Sequence, residues 1–153
     1  MSELAKEYPV LSVCLTCRDG REQGEKGVTG GARLAGTLLP RLTEQQPQFC
    51  LRGVRCMSQC KRPCVAALCA PGRFSYMFGD LDPNQPAHVT ALIDLLPLYM
   101  AANEGFLPRQ QRPEPLRERI VGRLPPPVSG CPIVRLHAPA WAAESVSEEL
   151  ILP

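Results

Sequence analysis

Hydrophobic and polar positions along the chain alternate between two periods. Residues 10–15, VLSVCL, are a short β-branched apolar run and predict a strand ending in the C-x-x-C of Cys14 and Cys17. DGREQGEKGVTGG, residues 19–31, holds five glycines and predicts a loop. Leu34, Leu38 and Leu42, with Leu39 beside them, recur at helical spacing and predict a helix over about 31–46, with Pro40 as its one kinking residue. Residues 49–56, FCLRGVRC, alternate up to Gly53 and predict a strand with a bulge there. CVAALCA, residues 64–70, is apolar throughout, as in a strand buried on both faces. Pro71-Gly72 marks a turn, and RFSYMFG, residues 73–79, puts Phe74, Tyr76 and Phe78 on one strand face. A second helix follows, with Val89, Leu92, Ile93, Leu96, Tyr99 and Met100 on one side; Asn84 or a neighbour caps it and Gly105 closes it.

The element order is therefore β-α-β-β-β-α, an α/β sheet covered by helices. Beyond Gly105 the composition shifts to proline and arginine. PEPLRERIVGR predicts a short helix with Leu116, Ile120 and Leu124 on one face, and past Val128 no period is visible. The expected organisation is one domain over residues 1–104 and an arm over 105–153 that packs on it or on a partner. No repeat at a solenoid period is visible.

Composition narrows the classes. The chain has 153 residues, 44% of them hydrophobic and 21% charged, enough to bury a core without disulfides. Net charge is only +2 and aromatics are 5%, so no nucleic-acid partner is expected. The start MSELAKEYPVLSV carries acidic residues and no long apolar run, and no stretch approaches the roughly 18 apolar residues of a membrane span. A cytoplasmic protein with no membrane partner is expected, in a compartment where structural disulfides are disfavoured. The eight cysteines then read as metal ligands, redox thiols or small buried hydrophobes.

Two cysteine pairs stand out. Cys14 and Cys17 end the first strand, and Cys56 and Cys60, spaced C-x-x-x-C, end the second. If both strands end at one edge of the sheet, four thiolates converge and suit tetrahedral zinc or a [2Fe–2S] cluster. Arg18, Arg21, Arg55, Lys61 and Arg62 flank them, favouring thiolates and offsetting a cluster's negative charge; the plain alternative is solvated loop charge. The glycine loop is either a source of backbone N–H groups aimed at sulfur or a simple connector. Cys64 stands as a fifth candidate, weighed against a buried structural thiol; Cys50 and Cys69 read as core, and Cys131 as packing. His88 and His137 read as exposed and not catalytic. A thioredoxin-type dithiol needs its C-x-x-C at a helix N-terminus, and here more than ten residues separate Cys17 from the helix.

VRCMSQCKRPCVAAL followed by GRFSYMFGDL resembles the second half of thioredoxin-like [2Fe–2S] ferredoxins. Pro63 falls where that fold often keeps a proline before its third strand. The resemblance implies a thioredoxin-like sandwich with Cys56 and Cys60 as the second ligand pair. The first pair departs from those ferredoxins, which space it by eight to twelve residues. Residues 10–127 are also similar to an uncharacterised bacterial family described as predicted metal-binding proteins. That similarity rests on CxxCR, the C-x-x-x-C loop, Tyr76, Gly79, Leu81, Tyr99 and the Arg112, Pro113, Glu114 segment. It implies a context in metal or cobalamin metabolism. The expected function is electron transfer or redox sensing by a [2Fe–2S] cluster on Cys14, Cys17, Cys56 and Cys60, with a redox protein as partner and a homodimer left open. The alternatives are a zinc-binding adaptor or metal chaperone and, last, a dithiol oxidoreductase.

Overall fold

The structure is a computed structural model, and residues 8–135 are described. It is a mixed α/β fold built on one five-stranded sheet. Strand β1 (Val10–Cys14) leads through helix α1 (Gly30–Gln45) to β2 (Cys50–Val54); β3 (Ala66–Cys69) and β4 (Ser75–Phe78) form a hairpin; α2 (Pro86–Ala101) follows. A one-turn helix α3 (Glu114–Arg117) and β5 (Ile120–Leu124) complete the order. Neighbours in the sheet run β2-β1-β3-β4-β5. The β1–β2 pair is parallel and all the others are antiparallel. The first six elements have the β-α-β-β-β-α order expected of a thioredoxin-like fold.

Register explains which residues make the core. Leu51, Leu11, Leu68 and Tyr76 lie in one row across four strands, with Val13, Ala66 and Phe78 in the next row of the same face. Leu34, Leu38 and Leu42 of α1 and Val89, Leu92, Ile93, Leu96 and Tyr99 of α2 are buried with them in a single cluster. Each such side chain contributes on the order of 1.5–3 kcal/mol by leaving water. Buried hydroxyls are satisfied: Tyr99 donates to the Phe74 carbonyl at 2.8 Å, and Tyr76 donates to the Gly105 carbonyl at 3.0 Å while accepting from Leu107 N–H at 2.7 Å. The opposite face carries the row Arg52, Ser12, Ala67, Met77 and Gly122, mostly small or polar.

Several expectations are corrected. Helix α1 runs on through Pro40, which lies on the exposed side, where an orphaned carbonyl can be hydrated. Gly53 makes no bulge: β2 pairs with β1 in unbroken register. The glycine is needed for close approach, since a Cβ there would sit 2.4 Å from Leu15 Cδ1. β3 is buried on one face only, because Ala67 and Cys69 lie on the small-residue face; Cys69 and Cys50 are half-buried, not core. Met100 is exposed, and Gln85 precedes α2 without a side-chain cap. α2 ends at Ala101 rather than Gly105, which has φ +67° in the turn that follows.

Residues 120–124 form an edge strand, not a helical face. Ile120, Gly122, Arg123 and Leu124 pair with β4, an irregularity between Met77 and Phe78 leaves Val121 without a register partner, and Leu124 is exposed. Cys131 packs into the core cluster, as expected. His137 lies outside the described residues. Among the described residues no helix is long and apolar enough to cross a membrane.

Candidate metal centre

Parallel pairing carries both cysteine pairs to one edge of the sheet. Because β1 and β2 run the same way, their C-terminal ends open at one edge of the sheet, and the antiparallel β3 begins at that edge. Backbone bonds stitch the three: Leu15 N–H to the Val54 carbonyl at 2.7 Å and Cys14 N–H to the Val65 carbonyl at 3.0 Å. The Thr16 hydroxyl lies 3.6 Å from Cys14 Sγ and donates to the Arg55 carbonyl, tying the first cysteine loop to the second. In open α/β sheets this carboxyl edge is the usual place for a ligand.

The two pairs differ in setting. Cys14 and Cys17 are 2% and 4% exposed; Cys56 and Cys60 are exposed. Within each pair the two thiols influence each other's protonation: Cys17 favours the Cys14 thiolate, and Cys56 opposes the Cys60 thiolate. The pairs also sense each other, since Cys60 interacts electrostatically with both Cys14 and Cys17. Burial opposes the Cys14 thiolate, but polar interactions with Thr16, the Met57 backbone and Cys17 outweigh it and bring that thiol below its ordinary range. Burial, with Cys14 beside it, pushes the Cys17 thiol up to about 12. The neighbouring Cys56 raises Cys60.

Backbone N–H groups do point at sulfur, but not those of the glycine loop. Ser58 N–H donates to Cys56 Sγ at 3.4 Å, and the backbone at Met57 and Val65 favours thiolate charge on Cys14 and Cys17. Ser58 is placed by its left-handed backbone, φ +60°. Those donors and four soft sulfurs suit iron–sulfur or zinc chemistry. Among the described residues, no group of three or more His, Cys, Asp or Glu side chains is placed so that it could hold a metal ion.

The glycine loop instead seats the helix against the first cysteine loop. Gly31 N–H donates to the Cys17 carbonyl at 3.0 Å, and a Cβ on Gly31 would lie 1.8 Å from the Cys14 carbonyl oxygen. Thr29 caps α1 by accepting from Ala32 N–H and donates to the Leu15 carbonyl at 2.5 Å. Asp19 is held by Arg33 at 2.5 Å and by Arg21 at 3.3 Å. Arg21 also reaches Asp82 at 2.6 Å, and Arg62 reaches Asp80 at 2.7 Å.

Arg18, Asp19, Arg21, Pro63 and Asp80 to Asp82 line an open cleft of about 360 Å³ beside the cysteines. The sequence reading missed Thr16 and the Asp19–Arg33 lock, since neither has a spacing signature. The Thr29 and Ala32 positions do read as an N-cap signal.

Cys64 is fully buried at the same edge. Its sulfur lies against Gly30, where a Cβ would come within 2.8 Å, and near Asp19; burial first, then Cys17, pushes its thiol up to about 12. His88 is not a free exposed histidine. It is half-buried, and its Nδ1 accepts the Asp82 N–H at 2.9 Å, so burial lowers its pKa.

Two solved structures of a thioredoxin-like [2Fe–2S] ferredoxin from Aquifex aeolicus are similar to this chain. One shows 13% identity and a TM-score of 0.47 over 80% of this chain and 99% of the other. The second, the wild-type protein, shows 12% identity and a TM-score of 0.46 over 76% and 98%. No curated protein matches the chain. Residues 11–126 match a family described as "Protein of unknown function (DUF1636)", and the chain belongs to that family.

Proposed function

We propose that this protein is a small one-electron carrier or redox sensor in which Cys14, Cys17, Cys56 and Cys60 hold a [2Fe–2S] cluster. The observation that supports this reading is the placement of both cysteine pairs at the sheet edge where the parallel β1 and β2 end, with Thr16 tying the two loops and Ser58 N–H on Cys56 sulfur. A cluster, when bound, supplies the one-electron chemistry. The chain supplies the rest. Cys14 and Cys17 anchor one side in the apolar core. The N–H groups stabilise charge on sulfur. The exposed Cys56–Cys60 loop keeps the other side within reach of a partner.

A dithiol mechanism fits less well, because the buried Cys17 thiol and the absence of C-x-x-C at the start of α1 both work against a reactive thiolate. The test is the visible spectrum of protein purified without oxygen. Broad sulfur-to-iron absorption that bleaches with dithionite and returns in air supports the proposal. A colourless protein with bound zinc, or a metal-free one with a Cys14–Cys17 disulfide, sinks it.

A further inference from the structure

From Cys50 to Gly79 the chain carries five basic residues and no acidic one. Arg62 is paired with Asp80, and Arg52 donates to Ser12 Oγ at 2.7 Å. Across the edge, Arg21 is committed to Asp82 and Asp19, and Arg33 to Asp19. The nearby carboxylates are thus already partnered. Arg18, Arg55 and Lys61 are exposed and form no ion pair among the described residues, although Arg18 lies close enough to Glu22 to favour that carboxylate.

These three cations directly follow Cys17, precede Cys56 and follow Cys60. They therefore flank the two cysteine loops, whose Cys56 and Cys60 thiols are exposed. The Thr16 to Arg55 bond holds the two loops, and so the rim, in one place.

We infer that this rim is a docking surface for an acidic protein, which presents its carboxylates to Arg18, Arg55 and Lys61 and covers the Cys56–Cys60 loop. Uncommitted charges around an opening steer an oppositely charged partner and fix its orientation more than they add affinity. A protein suits the rim better than nucleic acid. The cations are three in number and sit on two short loops, and no exposed aromatic side chain is present for stacking on bases among the described residues. That the partner exchanges electrons rests on the proposed function; that it is acidic does not.

The test uses the full chain as purified, with a labelled poly-L-glutamate peptide followed by fluorescence anisotropy at low salt and a short DNA duplex of equal charge as competitor. Peptide binding should weaken as salt rises. It should fall about tenfold in Lys61→Glu or Arg55→Glu and stay unchanged in Arg109→Glu, an exposed arginine paired with Glu118. Equal losses in Lys61→Glu and Arg109→Glu, no measurable peptide binding, or tighter binding of the duplex would overturn the inference. Metal and spectrum are read on the same sample, so failure of the electron-carrier reading shows separately from failure of docking.

Discussion

The two cysteine loops of this protein are built on opposite plans. The Cys14–Cys17 loop is core: both thiols are buried, the start of α1 presses on its carbonyls, and Thr29 and Gly31 bond it from the helix. The Cys56–Cys60 loop is surface: its thiols are exposed, and Arg55 and Lys61 beside it form no ion pair among the described residues. One loop makes the site rigid and the other makes it reachable. A centre that passes electrons needs both, since burial limits reorganisation and exposure shortens the path to a partner.

The sharpest way to break this contrast is Gly31→Ala. Its Cβ would fall inside the Cys14 carbonyl, so the helix must retreat from the loop. We expect a loss of about 3 kcal/mol or more in denaturant unfolding of metal-free protein, beyond ordinary overpacking. A cost under about 0.5 kcal/mol would show that α1 does not seat the first loop.

Serine in place of single cysteines of the proposed site separates the loops next. Cys17→Ser buries a hydroxyl and should cost about 1–3 kcal/mol in the metal-free protein. Cys60→Ser should cost less than about 0.5 kcal/mol there. Both should lose the metal, so the pair differs in stability and not in binding.

Cys64→Ala sharpens the ligand choice. The thiol fills a space under Gly30, so its loss should cost about 1 kcal/mol while metal content stays at the parental level. Metal loss in this variant would make Cys64 a ligand.

The smallest effects lie at the cleft beside the site. Burial holds His88 below its ordinary 6.5, so the unfolded chain takes up the proton first and stability falls as pH drops through that value. The Arg21 bond holds the Asp82 carboxyl below its ordinary 3.8, so its contribution is present above that value and is lost as pH falls through the lower, folded value. In chemical denaturation, His88→Asn should flatten the change between about pH 7.5 and pH 5.5 (about one unit either side of the ordinary value). Asp82→Asn should flatten only the fall below about pH 4.

Much of this was legible from the chain. Strong alternation and helical leucine spacing located β1, α1, β4 and α2 to within a few residues. Parallel strand ends follow from a β-α-β order, so convergence of the pairs could be anticipated. Residues 120–124 were misread because Leu116, Ile120 and Leu124 also fit a helical period, and only pairing with β4 decides between the two. Gly53 was misread because a bulge and a close contact both call for glycine. The Asp19–Arg33 lock joins residues 14 apart through a loop, and no local pattern encodes that contact.

The central claim is that the four cysteines of these unlike loops hold one cluster. Iron, zinc and acid-labile sulfide, counted per chain in anaerobically purified parent and in Cys60→Ser, test it most directly. About two iron and two sulfide per chain are expected in the parent, and close to none in the variant. One zinc without sulfide in the parent, or unchanged iron in Cys60→Ser, would contradict the account.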